Sequence, residues 1–122
     1  MPYAYRKSER LRKNSDFVAT MKGKRLSIDG LSLFYGRNDV GDFRVGISVS
    51  KKLGNAANRN RLRRRIRACV SEALRTHTAG FDLVFLARKE LVGKDFSQIC
   101  QAVNRALQRS AVIGKGSDGT RT

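Results

Sequence analysis

Residues 44–67 read RVGISVSKKLGNAANRNRLRRRIR, and a change of period inside this stretch decides the fold. Over residues 43–50 apolar and polar residues alternate strictly, which predicts a strand with one face on a core. The side expected to face the core carries Phe43, Val45, Ile47 and Val49. From about residue 56 to 75 the apolar period becomes that of an amphipathic helix. Its apolar stripe consists of Leu62, Ile66, Cys69, Val70 and Ala73.

The predicted helix is strongly basic on the sides that its apolar stripe leaves free. Six of the nine residues from 59 to 67 are Arg, and none is acidic. Like charges at this density repel one another at i,i+4, which favours an anionic partner over a merely solvated face. The spacing suits RNA, DNA or an acidic partner. The candidate phosphate-binding residues of this helix are Arg59, Asn60, Arg61, Arg63, Arg64, Arg65 and Arg67.

The loop before the helix adds cations to its N-terminal end. Residues 50–55 place Lys51 and Lys52 beside backbone amides at a helix N-terminus, where phosphate binds readily. The loop lacks the Gly-x-x-x-x-Gly-Lys-Ser/Thr pattern of a nucleoside triphosphate site. We therefore expect phosphate contacts here and no triphosphate binding.

The total charge also indicates a polyanionic partner. The chain has 122 residues, with 26 Lys or Arg against 10 Asp or Glu, and a net charge of +16. Of the cations 17 are Arg, whose planar fork grips phosphate bidentately, so nucleic acid is favoured over a membrane surface. No apolar run approaches the ~20 residues of a membrane span, and no secretory signal is visible.

Two elements are predicted on the N-terminal side of the central stretch. A short helix begins where Asn14 or Ser15 caps it and ends at Gly23. Residues 31–35 form a strand, and a turn of seven residues separates it from the strand at 43–50. We expect these two strands to pair as a hairpin.

Two further elements are predicted on the C-terminal side. Residues 81–87 are almost wholly apolar, which is typical of a strand buried on both faces. A last helix begins at Asp95 or Ser97 and runs to about residue 109. Its predicted core stripe is Phe96, Ile99, Val103 and Leu107.

The resulting order, α-β-β-α-β-α, predicts an α/β (α+β) two-layer sandwich with one sheet. The strands on either side of the long helix resemble a βαβ crossover, so we expect them to be parallel. The length fits one domain over residues 1–113. This domain starts with a basic arm at residues 3–13, and the Gly- and Ser-rich residues 114–122 are expected to be a disordered tail.

The remaining chemical signals are weak. Cys69 and Cys100 lie on apolar helix faces, which is typical of small hydrophobic residues in a cytoplasmic protein. Two Cys and the single His77 show no pairing motif for zinc, and His77 is expected at the surface. No carboxylate pair or Ser/His/Asp set stands out, so no catalytic residue and no certain metal ligand is predicted in the protein.

The 44–67 block resembles the signature of the protein component of bacterial ribonuclease P. That family carries a strand ending in Ser-Lys-Lys, a Gly-Asn-Ala-type loop and an Arg-Asn-Arg helix. The segments RLRKNSDF at residues 10–17 and DLVFLAR at residues 82–88 are similar to the family's N-terminal segment and third strand. The resemblance extends over about residues 6–107.

This resemblance implies a non-catalytic protein subunit of a tRNA 5′ endoribonuclease, without an obligate protein partner. In the family the RNA subunit, with bound Mg²⁺, cleaves precursor tRNA to free a mature 5′ end. The protein binds that catalytic RNA through its Arg-Asn-Arg helix and holds the single-stranded 5′ leader between the sheet and the N-terminal helix. The family fold also contains a left-handed crossover, against the usual rule.

The resemblance assigns residues to both roles. Lys51 and Lys52 join the basic helix in RNA binding. Phe17 lies where the family places an aromatic residue that stacks on the leader, with plain core packing as the alternative. The residues expected to form the leader cleft are Phe17, Met21, Phe34, Arg44 and Ser48.

Three other classes fit part of the pattern. A ribosomal or RNA-chaperone protein shares the charge and fold class, and only the 44–67 block argues against it. A DNA-binding regulator would need a helix and a tight turn before its recognition helix, where a strand is predicted instead. A protein nuclease would need acid/base or metal-ligating residues that the sequence does not show.

Overall fold

The structure is a computed structural model that describes residues 14–39, 41–77 and 79–112, with side chains from residue 18 onward. Three helices and four strands form within these ranges. In chain order they are α1 (Asn14–Met21), β1 (Lys24–Ile28), β2 (Leu31–Arg37), β3 (Arg44–Val49), α2 (Ala56–Leu74), β4 (Phe81–Ala87) and α3 (Phe96–Ser110). The basic arm at residues 3–13, the tail at 114–122 and the side chain of Phe17 lie outside what the structure describes.

The predicted α/β class with one sheet is confirmed, with one strand more than expected. The sheet has the order β1-β2-β4-β3. β1 is the additional strand, and it pairs antiparallel with β2 at the edge. Its sequence, KRLSI, carries two cations and only two apolar residues, so its alternation is short and its exposure is high.

The predicted hairpin of β2 and β3 is wrong, because β4 lies between them. β4 pairs antiparallel with β2 and parallel with β3. The apolar sequence of β4 explains this position, since a strand that is buried on both faces is most stable at the centre of a sheet. The expected parallel arrangement of the strands on either side of α2 is confirmed.

α2 and α3 pack on one face of the sheet and form the main core with it. The predicted alternation in β3 is confirmed: Val45 and Val49 face this core, as do Leu31 and Leu33 of β2. The predicted stripe of α2 also lies on it, with Ile66, Cys69 and Val70 buried and Leu62 and Ala73 at its edge.

Of the two predicted starts of α3, Asp95 and Ser97, the structure confirms Asp95. Asp95 is the N-cap, and its side chain and that of Gln98 form a reciprocal capping box. Ile99, Val103 and Leu107 are buried as expected. The expectation for Phe96 is wrong: it occupies the first position of α3, beyond the edge of the core, and is 47% exposed.

The sequence predicted that the two cysteines are separate small hydrophobic residues, and this prediction is wrong. Cys69 of α2 and Cys100 of α3 form a disulfide across the interface of the two helices. Both lie on the apolar stripes of their helices, and packing those stripes together brings the two sulfur atoms into bonding distance. The disulfide therefore ties the basic helix to its neighbour.

The short helix α1 covers part of the other face of the sheet. It contacts β1, β2 and β4. Beneath it a second, smaller cluster contains Phe34 and Val84, with Met21 and Leu86 packed against them. In the part of the chain that the structure describes, none of the helices is long and apolar enough to cross a membrane.

Candidate nucleic-acid interface

The loop that leads into α2 is held by two side-chain caps. Ser50 Oγ accepts a hydrogen bond from the Lys52 amide at 3.2 Å, which fixes a single turn at Lys51–Leu53. Asn55 Oδ1 accepts one from the Asn58 amide at 2.9 Å and thereby caps α2. Ser50 and Asn55 form both of these caps, and the side chains of Lys51 and Lys52 are exposed at the start of the helix.

The Arg residues of α2 divide into an exposed and a half-buried set. Arg61, Arg64 and Arg65 are exposed, as is Asn60, while Arg59, Arg63 and Arg67 are half-buried. We call these six Arg residues with Asn60, Lys51 and Lys52 the basic face. Arg61 and Arg64 are exposed, as expected for the basic sides of the helix, whereas Arg67 is more enclosed.

Two of the half-buried Arg residues are held by local partners. Arg59 Nε donates a hydrogen bond to the Gly54 carbonyl at 3.1 Å, which folds its side chain back over the helix N-terminus. Arg63 Nη2 donates to Asn60 Oδ1, one turn earlier on the helix. Both partners are neutral, so neither of these hydrogen bonds pairs a guanidinium group with a carboxylate.

The other predicted surface lies on the opposite side of the sheet. Met21, Phe34, Arg44 and Ser48 belong to α1 or to strand positions on the side that α1 covers, and we call this set the α1-side face. Phe34 is 7% exposed beneath Met21. The Arg25 guanidinium lies 5.9 Å from the centre of the Phe34 ring and adds a cation at the rim.

β3 carries two small residues on its part of this face. Gly46 and Ser48 of β3 lie beside Val84 and Leu86 of β4 in the sheet register. Gly46 is buried and Ser48 is half-buried. They form a strip with little side-chain bulk next to the apolar cluster under α1.

Arg44 is held at the end of this strip by a buried acid. Its Nε and Nη2 donate to the two carboxylate oxygens of Asp82, each at 2.8 Å. Asn38 Nδ2 donates a third bond to Asp82 Oδ1 at 2.7 Å. The sequence interpretation missed Asp82 and Asn38, although Asp82 is the only acid inside the apolar run of β4.

A protein-held metal ion has no evident ligand set in the described residues. Within them, no three His, Cys, Asp or Glu side chains are grouped so that they could hold an ion.

Comparison with known proteins gives this arrangement a family. The profile of the family described as ribonuclease P matches residues 5–111. The chain belongs to the ribonuclease P protein family. It is 35% identical over 111 residues to the ribonuclease P protein component of Gluconacetobacter diazotrophicus, covering 88% of this chain and 96% of that protein.

Solved structures agree with this assignment to the ribonuclease P proteins. The Staphylococcus aureus RNase P protein superposes with a TM-score of 0.79 at 32% identity, over 87% of this chain and 98% of that one. The Thermotoga maritima RNase P protein gives a TM-score of 0.70 at 33% identity, over 83% and 96%. Membership of the ribonuclease P protein family gives the chain a role in the 5′ processing of tRNA, in partnership with an RNA subunit.

Proposed function

We propose that this chain is the non-catalytic, cytoplasmic protein subunit of the endonuclease that removes the 5′ leader from precursor tRNA. The basic face of α2 binds the RNA subunit. The α1-side face holds the single-stranded leader. The RNA subunit, with its own bound Mg²⁺, hydrolyses the phosphodiester bond.

The observation that carries the proposal is the placement of the two sets of residues on different sides of the sheet. The basic face belongs to α2, on the side of the main core, and the α1-side face lies on the opposite side. Two RNA segments can therefore be bound at once, so the protein can bridge the catalytic RNA and its substrate.

Charge and shape support RNA on the basic face. Its three exposed Arg residues, Arg61, Arg64 and Arg65, stand on a rigid helix of 19 residues. Arg forms bidentate bonds with phosphate, and a fixed spacing of such groups suits a folded RNA backbone.

The α1-side face supports a single strand in a different way. A single-stranded RNA is bound without sequence readout when its bases stack on apolar or aromatic groups and cations follow its backbone. Met21, half-buried over the Phe34 cluster, offers apolar surface, while Arg25 lies at its rim. The family resemblance assigns a leader-stacking role to Phe17 as well.

The test is cleavage of precursor tRNA by three preparations: the purified protein, the RNA subunit, and the two together, each with Mg²⁺. We expect no cleavage by the protein alone at any Mg²⁺ concentration. The RNA subunit should cleave the substrate, and the protein should increase its cleavage efficiency at low salt. Cleavage by the protein alone, reproduced after removal of all RNA by a nuclease, would show that the protein carries its own catalytic site.

A further inference from the structure

A groove lies between the N-terminal half of α2 and the loop that joins β4 to α3. One wall is the helix face that carries Asn58, Arg61, Leu62 and Arg65, which recur at helical spacing. The other wall is the loop segment at residues 91–94. The cavity volume is about 280 Å³, close to the lower end of about 300–1,000 Å³ for sites that bind small molecules.

The groove combines an apolar floor with a cationic rim. Leu53, Leu62, Leu91 and Val92 supply apolar surface. The charged residues that line it are all cations: Arg59, Arg61, Arg65 and Lys94. No acidic residue is among the described residues that line it. A surface of this kind fits a ligand that is flat and apolar in one part and anionic in another.

Val92 gives the groove an exposed apolar side chain. It is 48% exposed, although it lies directly after Leu91, which is fully buried. Single exposed apolar residues are common. Val92, however, lines the same groove as four cations, so it offers an apolar contact inside a cationic site.

We propose that this groove binds one unstacked nucleotide of the RNA subunit. The base lies on Leu62 and Val92, and the flanking phosphates lie against Arg61, Arg65 and Lys94. An RNA nucleotide is favoured over an acidic peptide because the floor is apolar and matches the face of a base, whereas a carboxylate side chain would leave it uncovered. The proposal rests on the proposed function, because it specifies that one unstacked nucleotide of the RNA subunit binds beside the basic face.

The test compares two valines that are similarly exposed. Val92→Asp places a carboxylate in the groove, and Val18→Asp makes the same change of charge on α1, where Val18 is 42% exposed. Both variants have the same net charge, so a difference between them reports where the carboxylate lies and not the total charge of the protein. The measurement is the Kd for the RNA subunit alone, without tRNA, at one fixed salt concentration.

We expect Val92→Asp to raise this Kd at least about fivefold above the value for Val18→Asp, which corresponds to the low end of base-stacking energies. Equal Kd values for the two variants would overturn the groove proposal. The proposed function would still stand in that case, provided that both variants and the wild type bind the RNA subunit more tightly than they bind a duplex RNA of equal length.

A second measurement follows the base itself and does not depend on affinity. With saturating wild-type protein, we expect one unpaired base of the RNA subunit to become protected from a base-specific alkylating reagent. Val92→Ala, which removes apolar contact and adds no charge, should restore reactivity at that base while ribose protection around it persists. If no base shows protection that depends on Val92, the groove does not hold a nucleotide. Circular dichroism of both Val92 variants confirms that they are folded before either measurement.

Discussion

Arg44 and Asp82 join β3 to β4 through two parallel hydrogen bonds of 2.8 Å each. Their side chains are 23% and 12% exposed, so the pair is largely shielded from water. Arg44 is expected to contact the leader, and it reaches the α1-side face with its guanidinium already oriented by an acid. The pair therefore stabilises the sheet and also fixes the position of Arg44 on the α1-side face.

Removing the acid tests this link. Because Asp82→Ala removes the shielded carboxylate that accepts bonds from both Arg44 and Asn38, we expect a loss of about 3 kcal/mol in the free energy of unfolding. Urea denaturation measures the loss. Glu72→Ala is the matched control, since the Glu72–Arg75 pair is 54% and 52% exposed and should contribute no more than about 0.5 kcal/mol. Equal losses in the two variants would contradict the structural role given to Asp82.

The disulfide gives a second prediction about stability. Cys69 and Cys100 are 31 residues apart. A disulfide that closes a loop of this length lowers the entropy of the unfolded chain, which should stabilise the fold by roughly 3.5 kcal/mol. We expect the urea midpoint to fall when a dithiol reductant is added. Cys69→Ser combined with Cys100→Ser should show no such response to the reductant.

Counting thiols checks the disulfide directly. Protein purified without reductant, then denatured and alkylated, should show no free thiol before reduction and two after it, since the chain has two Cys. Two free thiols in the unreduced sample would show that the cysteines are separate, as the sequence alone had indicated.

Salt dependence tests the basic face. If about six cations meet phosphates, the logarithm of affinity for the RNA subunit should fall with the logarithm of salt at a slope of about −4 to −6. Arg64→Gln should make this slope shallower by about one unit. Arg105→Gln on α3 is the control, because Arg105 is paired with Asp29 at 2.9 Å on the edge of the sheet near β1. A wild-type slope shallower than about −2 would contradict extensive phosphate contact.

Phe17→Ala distinguishes leader stacking from core packing. If Phe17 stacks on a leader base, affinity for precursor tRNA should fall by about 1–3 kcal/mol while affinity for mature tRNA hardly changes. If it is only a core residue, stability should fall by about 3–5 kcal/mol and both ligands should be affected alike. The measurement is the ratio of the two affinities with the RNA subunit present, at a temperature where the variant is folded.

The elements that the sequence predicted best are those whose period matches one buried face. The helical spacing of Ile66, Cys69 and Val70 needs only one partner surface, so it located the core side of α2. The same holds for the alternation of Val45, Ile47 and Val49 in β3. In both cases local geometry alone decides which side chains meet the core.

Strand pairing was harder to predict, because it depends on elements that are distant in sequence. β2 and β3 are neighbours along the chain, yet β4 separates them. A strand buried on both faces belongs at the centre of a sheet, so the apolar run at residues 81–87 already argued against a hairpin. The disulfide had no such signal, since it depends on how two separate helices pack.

The candidate sites follow the same division. The basic face is a property of one helix, and its Arg residues could be named from spacing. The Arg44–Asp82–Asn38 network joins three segments through side-chain bonds, and no local pattern indicates which acid meets which cation.

The most direct test of leader binding measures equilibrium affinity for precursor and mature tRNA, first with the RNA subunit alone and then with the protein added. A divalent ion that gives no cleavage product during the measurement replaces Mg²⁺, so that binding can be followed. Since only precursor tRNA has a leader, we expect the protein to raise affinity for precursor at least about fivefold and to leave affinity for mature tRNA almost unchanged. An equal gain for both ligands would contradict leader binding by the α1-side face.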